Sequence, residues 1–373
     1  MSTSHGGVSG ADVLRAEASR VDLRTVVLLP TVAVASALVL GAVIMLATGI
    51  APATVRDSYV ALVQGSLGSV YAVSETLTAA APLILAGLGV AVGFRAGLFN
   101  IGAEGQILVG GMASLIAGFS LTGLPIFLHL PLAIAAGALV GGAWGMIAGW
   151  LRAATGAHEV ISTIMLNFIA LRLVDFLLRN PPVQKPGRDD PISRSVLDSA
   201  NLPTLLGWLE PQYRLNAGIF LAVIMVVVIA WLLFHTTIGF EFRAAGANAD
   251  AARCAGIRLG RTIVAVMFTA GGLAGLAGAT QVLGVLGRAS PGFSAGLGFE
   301  AIAVALLGRS HPWGVLMAGL LFGALEAGGR QMQVSAGVSI DLITIIQALI
   351  VVFVAAPMLI RSLYPMLFRE KAK

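Results

Sequence analysis

The residue types that could carry chemistry are few, and the most specific pattern among them is Gly292-Phe-Ser-Ala-Gly296. It matches the G-x-S-x-G motif of a serine nucleophile, which requires a strand–turn–helix context and an acid and a histidine further along the chain. The next histidine, His311, follows Ser294 by only 17 residues. Serine hydrolysis is therefore kept only as an alternative, which loss of activity in Ser294→Ala would support.

The residue inventory argues against ATP binding through a P-loop, and against metal or disulfide chemistry. The sequence contains no G-x-x-x-x-G-K-[ST], and its only lysines are Lys185, Lys371 and Lys373, so this chain cannot bind ATP through a P-loop. Its five histidines are scattered without metal-ligand spacing, and its only cysteine, Cys254, cannot form an intrachain disulfide. We predict no catalytic residue, no metal and no cofactor.

The composition indicates the medium in which the chain folds. Of 373 residues, 57% are hydrophobic and 11% are charged, against roughly 25% charged residues in soluble domains, and the mean hydropathy is +0.92. These values exclude a soluble enzyme, a disordered protein and a disulfide scaffold. The net charge of +5 comes from basic residues spread along the chain without a run, so no nucleic-acid partner is implied. An integral membrane protein in a lipid bilayer is predicted.

Apolar stretches of about 20 residues can cross about 30 Å of hydrocarbon as helices. Nine are predicted, at 26–50, 77–94, 107–124, 126–151, 161–178, 216–234, 262–284, 313–328 and 342–360. The shorter segment 299–307 is interpreted as a half-helix or a tilted span. The predicted fold class is therefore all-α and polytopic, with about ten transmembrane segments, some of them broken.

The basic residues orient these spans. Loop 235–261 and the C-terminal tail are rich in arginine and lysine, and ten spans place both beside the N-terminal tail, which the positive-inside rule assigns to the cytoplasm. Loop 179–215 is then external, although it carries five basic residues against four acidic ones. The predicted organisation is a cytoplasmic tail at 1–25, a single transmembrane domain at 26–360 and a cytoplasmic tail at 361–373.

Glycines mark the predicted helix contacts, because small residues allow helix backbones to approach closely in lipid. They recur every four residues on two spans, at Gly137, Gly141, Gly145 and Gly149 and at Gly319 and Gly323. This pattern predicts tight packing and no chemistry.

Residues 93–106 (GFRAGLFNIGAEGQ) combine glycine with polar side chains. Their glycine content predicts a break in the helix, and non-helical backbone at membrane depth survives only when it is buried in protein or lines a wet cavity. The segment either recognises a polar, uncharged solute or is an ordinary turn at the membrane surface.

An ionisable side chain inside a membrane span is costly, so each one is a candidate functional residue. Glu300 follows a glycine-rich run and begins the predicted half-helix. This is a second predicted break in a helix, like the one around Asn100. Transporter sites form at such paired breaks. Asn167 either binds solute or ties two helices together. Two pairs with helical spacing are predicted salt bridges: Arg172 with Asp175, and Glu326 with Arg330.

Residues 239–257 predict two short helices within loop 235–261. The first ends at Gly246, and the second begins with Asn248 as N-cap and Asp250 in its first turn. The pair either docks a soluble partner on the cytoplasmic side or is a solvated connection.

Several of these segments resemble one family. Residues 97–106 (GLFNIGAEGQ) resemble the signature of ATP-binding-cassette (ABC) importer permeases of the nucleoside type, a group that also includes simple-sugar and branched-chain amino acid permeases. Residues 159–167 (EVISTIMLN) and 301–308 (AIAVALLG) are similar to its other recurring blocks, and 243–257 resemble its cytoplasmic coupling element. The likeness extends from about residue 77 onward.

The resemblance implies a type II importer permease that forms a heterodimer with a second, related permease subunit. A cytoplasmic ATP-binding subunit with two nucleotide-binding domains would drive it through loop 235–261, and an external substrate-binding lipoprotein would face loop 179–215. The implied location is the bacterial cytoplasmic (inner) membrane. Because sugar permeases carry a different sequence at 100–104, the resemblance favours nucleosides as the small-molecule substrate.

Two sets of candidate residues follow. Aromatic faces can stack on a base while amides and carboxylates bond its polar edge; the predicted substrate pathway is Phe99, Asn100, Glu104, Gln106, Asn167 and Glu300. The predicted contacts with the ATP-binding subunit are Glu241, Arg243, Asn248, Asp250 and Arg253. Two further alternatives stay open: a permease of the same class for simple sugars, and an ion-coupled secondary transporter that needs no partner ATPase.

Overall fold

The computed structural model describes residues 23–339 and 341–355, with side-chain environments for 31–339 and 341–354. The predicted tail at 361–373 and most of the predicted tail at 1–25 lie outside these ranges. Within them, regular structure consists of helices, and the only β-type pairings are two isolated bridges. The predicted all-α fold class is confirmed.

The helices are α1 (Leu23–Ala47), α2 (Pro52–Leu67), α3 (Val70–Arg95), α4 (Ala103–Ser120), α5 (Ile126–Thr155), α6 (Glu159–Leu178), α7 (Gly218–His235), α8 (Thr237–Ala247), α9 (Ala249–Cys254), α10 (Leu259–Gln281), α11 (Leu297–Leu307), α12 (Pro312–Ala336) and α13 (Asp341–Ala355). A 3-10 turn forms at Asp198–Ala200, and a π-helical turn at Val282–Leu286 continues α10. The sequence did not predict α2, because Arg56, Asp57 and Gln64 interrupt its apolar pattern.

Five described helices are long and apolar enough to cross a membrane by length and composition: α3, α5, α6, α7, and α10 with its π turn. Helix α11 has 11 residues, about 16 Å of helix, so it is a half-helix as predicted. The count of ten spans stays a prediction.

The chain divides into two compact units. One joins the residues up to Ile50 with those from Ile345, and so contains α1 and most of α13. The other is Ala51–Thr344, and it contains α2 to α12. All candidate site residues belong to the second unit.

Glycine contacts join the core helices of the second unit. On α5, a Cβ at Gly141 would lie 2.7 Å from the carbonyl oxygen of Gly271 on α10. On α12, a Cβ at Gly323 would lie 2.6 Å from the carbonyl oxygen of Thr76 on α3. A side chain at either position would push the two helices apart, so the predicted packing role of these glycines is confirmed.

Loop 179–215 covers one end of this helix bundle. Its backbone amides donate to carbonyl oxygens at Ala289, Gly287, Leu283 and Gly118 over 2.9–3.0 Å. Loop 235–261 lies at the opposite end, where Gly97 approaches Gly246. The two loops that the sequence assigned to opposite sides are therefore at opposite ends of the bundle.

One predicted salt bridge is wrong and one is confirmed. Asp175 pairs with Arg179, 3.2 Å away on the following turn, and not with Arg172. The i,i+4 spacing lets the guanidinium reach both carboxylate oxygens. Glu326 and Arg330 pair as predicted, at 2.6 Å.

Candidate functional site

The connection between α3 and α4 is held by a reciprocal pair of amides. Asn100 donates to Oε1 of Gln106 over 2.9 Å, and Gln106 donates back to Oδ1 of Asn100 over 3.1 Å. That same oxygen accepts the backbone N–H of Gly102 at 3.0 Å. Both side chains are 1% exposed. Their polar groups are therefore bonded to one another and are not offered to a solute in this state.

Asn167 attaches this connection to α6. Its side-chain oxygen accepts the backbone N–H of Gly105 at 2.8 Å, and its Nδ2 donates to the carbonyl oxygen of Ile101 at 2.9 Å. The first N–H groups of a helix have no partner within the helix, so Asn167 satisfies an open donor of α4. Of the two sequence interpretations, the geometry matches the one in which Asn167 ties helices together.

Glu104 joins the two broken elements. Its Oε1 accepts the hydroxyl of Ser294 at 2.5 Å, and its Oε2 accepts the backbone N–H of Gly298 at 2.8 Å. Gly298 is in the first turn of α11, so a carboxylate on α4 caps the half-helix. Ser294 is buried and donates to this carboxylate, whereas His311 follows the far end of α11. The nucleophile context that serine hydrolysis needs is not formed here.

A cavity of about 80 Å³ lies beside the N-terminal turn of α11. Its lining is contributed by α3, α10, α11, α12 and loop 179–215. The polar residues of this lining are Thr78, Arg214, Gln281, Glu300, Glu326 and Arg330. Among the described residues no group donates a hydrogen bond to Oε2 of Glu300, which is buried. Of the six predicted pathway residues, Glu300 is the one in this lining.

Charged side chains form a network at the loop 179–215 side of the cavity. Glu75 on α3, 7% exposed, pairs with Arg214, and its Oε2 lies 3.4 Å from Nη1 of Arg330. Arg330 also binds Glu326. The hydrogen bond to Glu75 raises the pKa of Arg214. Glu75 is not among the predicted site residues because the predicted span 77–94 begins after it, although an acid beside an apolar run is a sufficient signal.

Phe99 lies apart from the cavity. Its side chain is 56% exposed, and its ring centroid is 5.2 Å from that of Phe94. Its backbone N–H donates to Oε1 of Glu159 at 3.3 Å, and Glu159 in turn pairs with Arg152. The six predicted residues therefore fall in four places: Phe99 at the end of α3, the Asn100–Gln106 pair with Asn167, the Glu104 cap, and Glu300 in the cavity.

The two short helices of loop 235–261 form as predicted, with α8 one residue longer. The side chain of Asn248 accepts the N–H groups of Asp250 and Ala251 at 3.0 Å each, which confirms it as an N-cap. Four of the five predicted ATPase contacts have exposed side chains: Glu241, Asn248, Asp250 and Arg253.

Arg243, the fifth, points into the bundle end. Its guanidinium lies 5.4 Å from the ring centroid of Phe234, and Arg95 lies 5.7 Å from the same ring. His311 stacks on that ring at 5.2 Å. Burial and the charge of Arg95 lower the pKa of His311. Cations over an aromatic face are attracted to it, so this cluster fixes α8 to α3 and α7.

Arg95 extends the cluster to α11. Its Nε donates to the carbonyl oxygen of Ser310 at 2.9 Å, in the turn after α11. Arg309 and Ser310 in this turn have φ of 53° and 52°, which is uncommon for residues other than glycine. A continuous set of contacts therefore runs from α8, through Arg95 and α11, to Glu300 at the cavity.

Apolar helices, a half-helix and a cavity with polar lining are typical of a membrane transport subunit. The chain belongs to the family of permease components of the branched-chain amino acid transport system, whose model matches residues 72–360. No solved structure was found to match it.

Similar proteins are named as ABC transporter permeases. The guanosine permease NupP of Bacillus subtilis (strain 168) is 40% identical over 335 residues, which are 90% of this chain and 94% of that protein. The nucleoside permease NupB of Lactococcus lactis subsp. cremoris is 38% identical over 91% of this chain and 93% of its own. A glucose permease of Haloferax volcanii is 38% identical over 87% and 86%. The chain is accordingly a transporter permease subunit and not an enzyme.

Proposed function

We propose that this chain is one membrane subunit of an ABC importer for nucleosides. The observation that carries the proposal is the 38–40% identity to two permeases named for guanosine and for nucleosides, over about nine tenths of each chain. The polar cavity at Glu300 supports it, because a polar solute crossing the bilayer needs hydrogen-bonding groups away from lipid. The corresponding location is the bacterial cytoplasmic membrane.

The sidedness follows from the two ends of the bundle. We assign loop 235–261, with Arg95 and Arg152 at the same end, to the cytoplasm, in keeping with the positive-inside rule. Loop 179–215 is then external and faces a substrate-binding lipoprotein. Two of the basic residues of this loop pair with acids, Arg188 with Asp190 and Arg214 with Glu75, which lowers its net positive charge.

The proposed partners supply ATP hydrolysis and the second permease of the transmembrane part. A cytoplasmic ATP-binding subunit with two nucleotide-binding domains hydrolyses ATP and docks on the exposed charges of α8 and α9. A second, related permease completes the transmembrane part as a heterodimer. Motion at α8 reaches the cavity through Arg243, Arg95 and the half-helix α11.

The substrate pathway runs past Glu300 and the Glu104 cap towards Phe99 at the cytoplasmic end. Phe99 offers an exposed ring on which a base can stack as it leaves. Asn100, Gln106 and Asn167 act as supports that hold the broken connection in position, because their amides are already bonded.

The experiment is uptake by proteoliposomes that contain the complete complex, with ATP inside. Radiolabelled guanosine should accumulate, and unlabelled nucleosides should compete with it while glucose and ribose should not. Competition by glucose but not by nucleosides would replace the nucleoside assignment with the sugar alternative. Accumulation without ATP, driven by an ion gradient, would support the secondary transporter.

A further inference from the structure

The cavity beside Glu300 has a lining suited to one chemical class of ligand. We propose that it is a solute-binding subsite in which the carboxylate of Glu300 accepts hydrogen bonds from adjacent N–H or O–H groups of a neutral solute. This inference rests on the proposed transport function and specifies the recognition chemistry within it.

The first support is the missing donor at Glu300. Its Oε2 is buried, and among the described residues nothing donates to it. Most buried polar atoms in proteins have a partner, because an unpaired one loses its hydration without compensation. The backbone N–H of Gly298, in the first turn of α11, is already bonded to Glu104. A solute donor would complete the hydrogen bonding of Glu300.

The second support is the charge balance of the lining. Its two arginines are matched by acids, since Arg214 pairs with Glu75, and Arg330 with Glu326 and Glu75. Within the described part of the chain Glu300 belongs to none of these ion pairs, so its carboxylate is not matched by a cation. While both arginines stay bound to acids, such a site favours donors that carry no negative charge. Neutral nucleosides and sugars fit these conditions, whereas nucleotides do not.

The third observation concerns size and access. A water molecule occupies about 30 Å³ in the liquid, so a cavity of about 80 Å³ holds two or three waters and no purine or hexose. Arg214 belongs to loop 179–215 and lines the cavity, and its side chain is 44% exposed. Only the Arg214 side of this pair reaches solvent, and the buried Glu75 keeps Arg330, 3.4 Å away, as a second cation when Arg214 moves outward. The solute therefore enters when Arg214 leaves Glu75, and the state described is the closed one.

The test is equilibrium binding to the purified permease–ATPase complex in lipid nanodiscs, without the binding protein. Radiolabelled guanosine and radiolabelled glucose are measured separately, which distinguishes a nucleoside from a free sugar as the ligand. Glu300→Gln keeps the shape of the side chain and removes one acceptor, so the Kd of the bound solute should rise about 10- to 100-fold. Asp57→Asn, at an exposed carboxylate outside the cavity lining, is the matched control and should leave the Kd unchanged.

Guanosine monophosphate should compete at least tenfold more weakly than guanosine. If Glu300→Gln does not assemble, a second variant is used. It carries Thr78→Cys in the cavity lining and Cys254→Ser, which removes the native cysteine. Bound solute must then slow alkylation of the cysteine at position 78. Equal Kd values for the wild type and Glu300→Gln, or no binding of either solute by the wild type, would overturn the subsite. Uptake by the wild-type complex tests the transport function separately, so uptake with no effect at Glu300 rejects the subsite alone.

Discussion

The amide pair of Asn100 and Gln106 can be tested for a structural role against a solute-binding role. Asn100→Ala removes two reciprocal bonds and the bond from Gly102, and it leaves the buried amide of Gln106 without partners. Each bond contributes about 1 kcal/mol, and a stranded buried group costs about 1–3 kcal/mol. We expect a loss of about 4–6 kcal/mol in the free energy of unfolding, because both side chains are 1% exposed and water cannot replace the bonds.

The double variant Asn100→Leu with Gln106→Met separates the two roles. Replacing both partners by apolar groups of similar shape is nearly neutral, whereas removing one is not. If the pair is structural, the double variant should recover at least half of the stability lost in Asn100→Ala, and it should transport. Thermal unfolding in detergent and uptake in proteoliposomes measure the two outcomes. A double variant that is stable and assembled but does not transport would refute the structural role and restore both amides to the pathway.

The other predictions concern the serine motif and the coupling end. Ser294→Ala should cost about 1.5–3 kcal/mol through the lost bond to the Glu104 carboxylate while uptake continues; abolished uptake with intact assembly would contradict this. Gly246→Val should lower uptake per ATP hydrolysed, since a Cβ there would lie 2.8 Å from the carbonyl carbon of Ala96; an unchanged ratio would argue against tight contact. Asp250→Arg with Arg253→Glu should weaken ATPase binding at constant thermal stability, because both side chains are exposed; unchanged co-purification would exclude them from the interface.

The helices and their contacts could be predicted from the sequence because lipid imposes a simple rule. Each of the nine predicted apolar runs lies on a helix over most of its described residues, and glycines spaced by four marked where helices touch. Helix α2 was missed because that rule uses apolarity alone. Its 16 residues include Arg56 and Asp57, which are exposed in the structure.

The site was predicted less completely, for a different reason. Residue type identified the polar side chains of 93–106 but could not show whether their hydrogen bonds would be made within the protein. Asn100, in the connection before α4, pairs with Gln106 near the start of α4, a contact that their separation of six residues allows without requiring. Glu75 and Arg214 are 139 residues apart in sequence, and only the folded chain brings them together.

Under the proposed function, this chain transports only with a separate source of ATP energy. The direct measurement is accumulation of radiolabelled guanosine by proteoliposomes that contain either the complete complex or this chain alone, each with ATP inside. The complete complex should concentrate guanosine above the outside level, and the chain alone should not. Uphill accumulation by the single chain would contradict the assignment as one subunit of an ATP-driven importer.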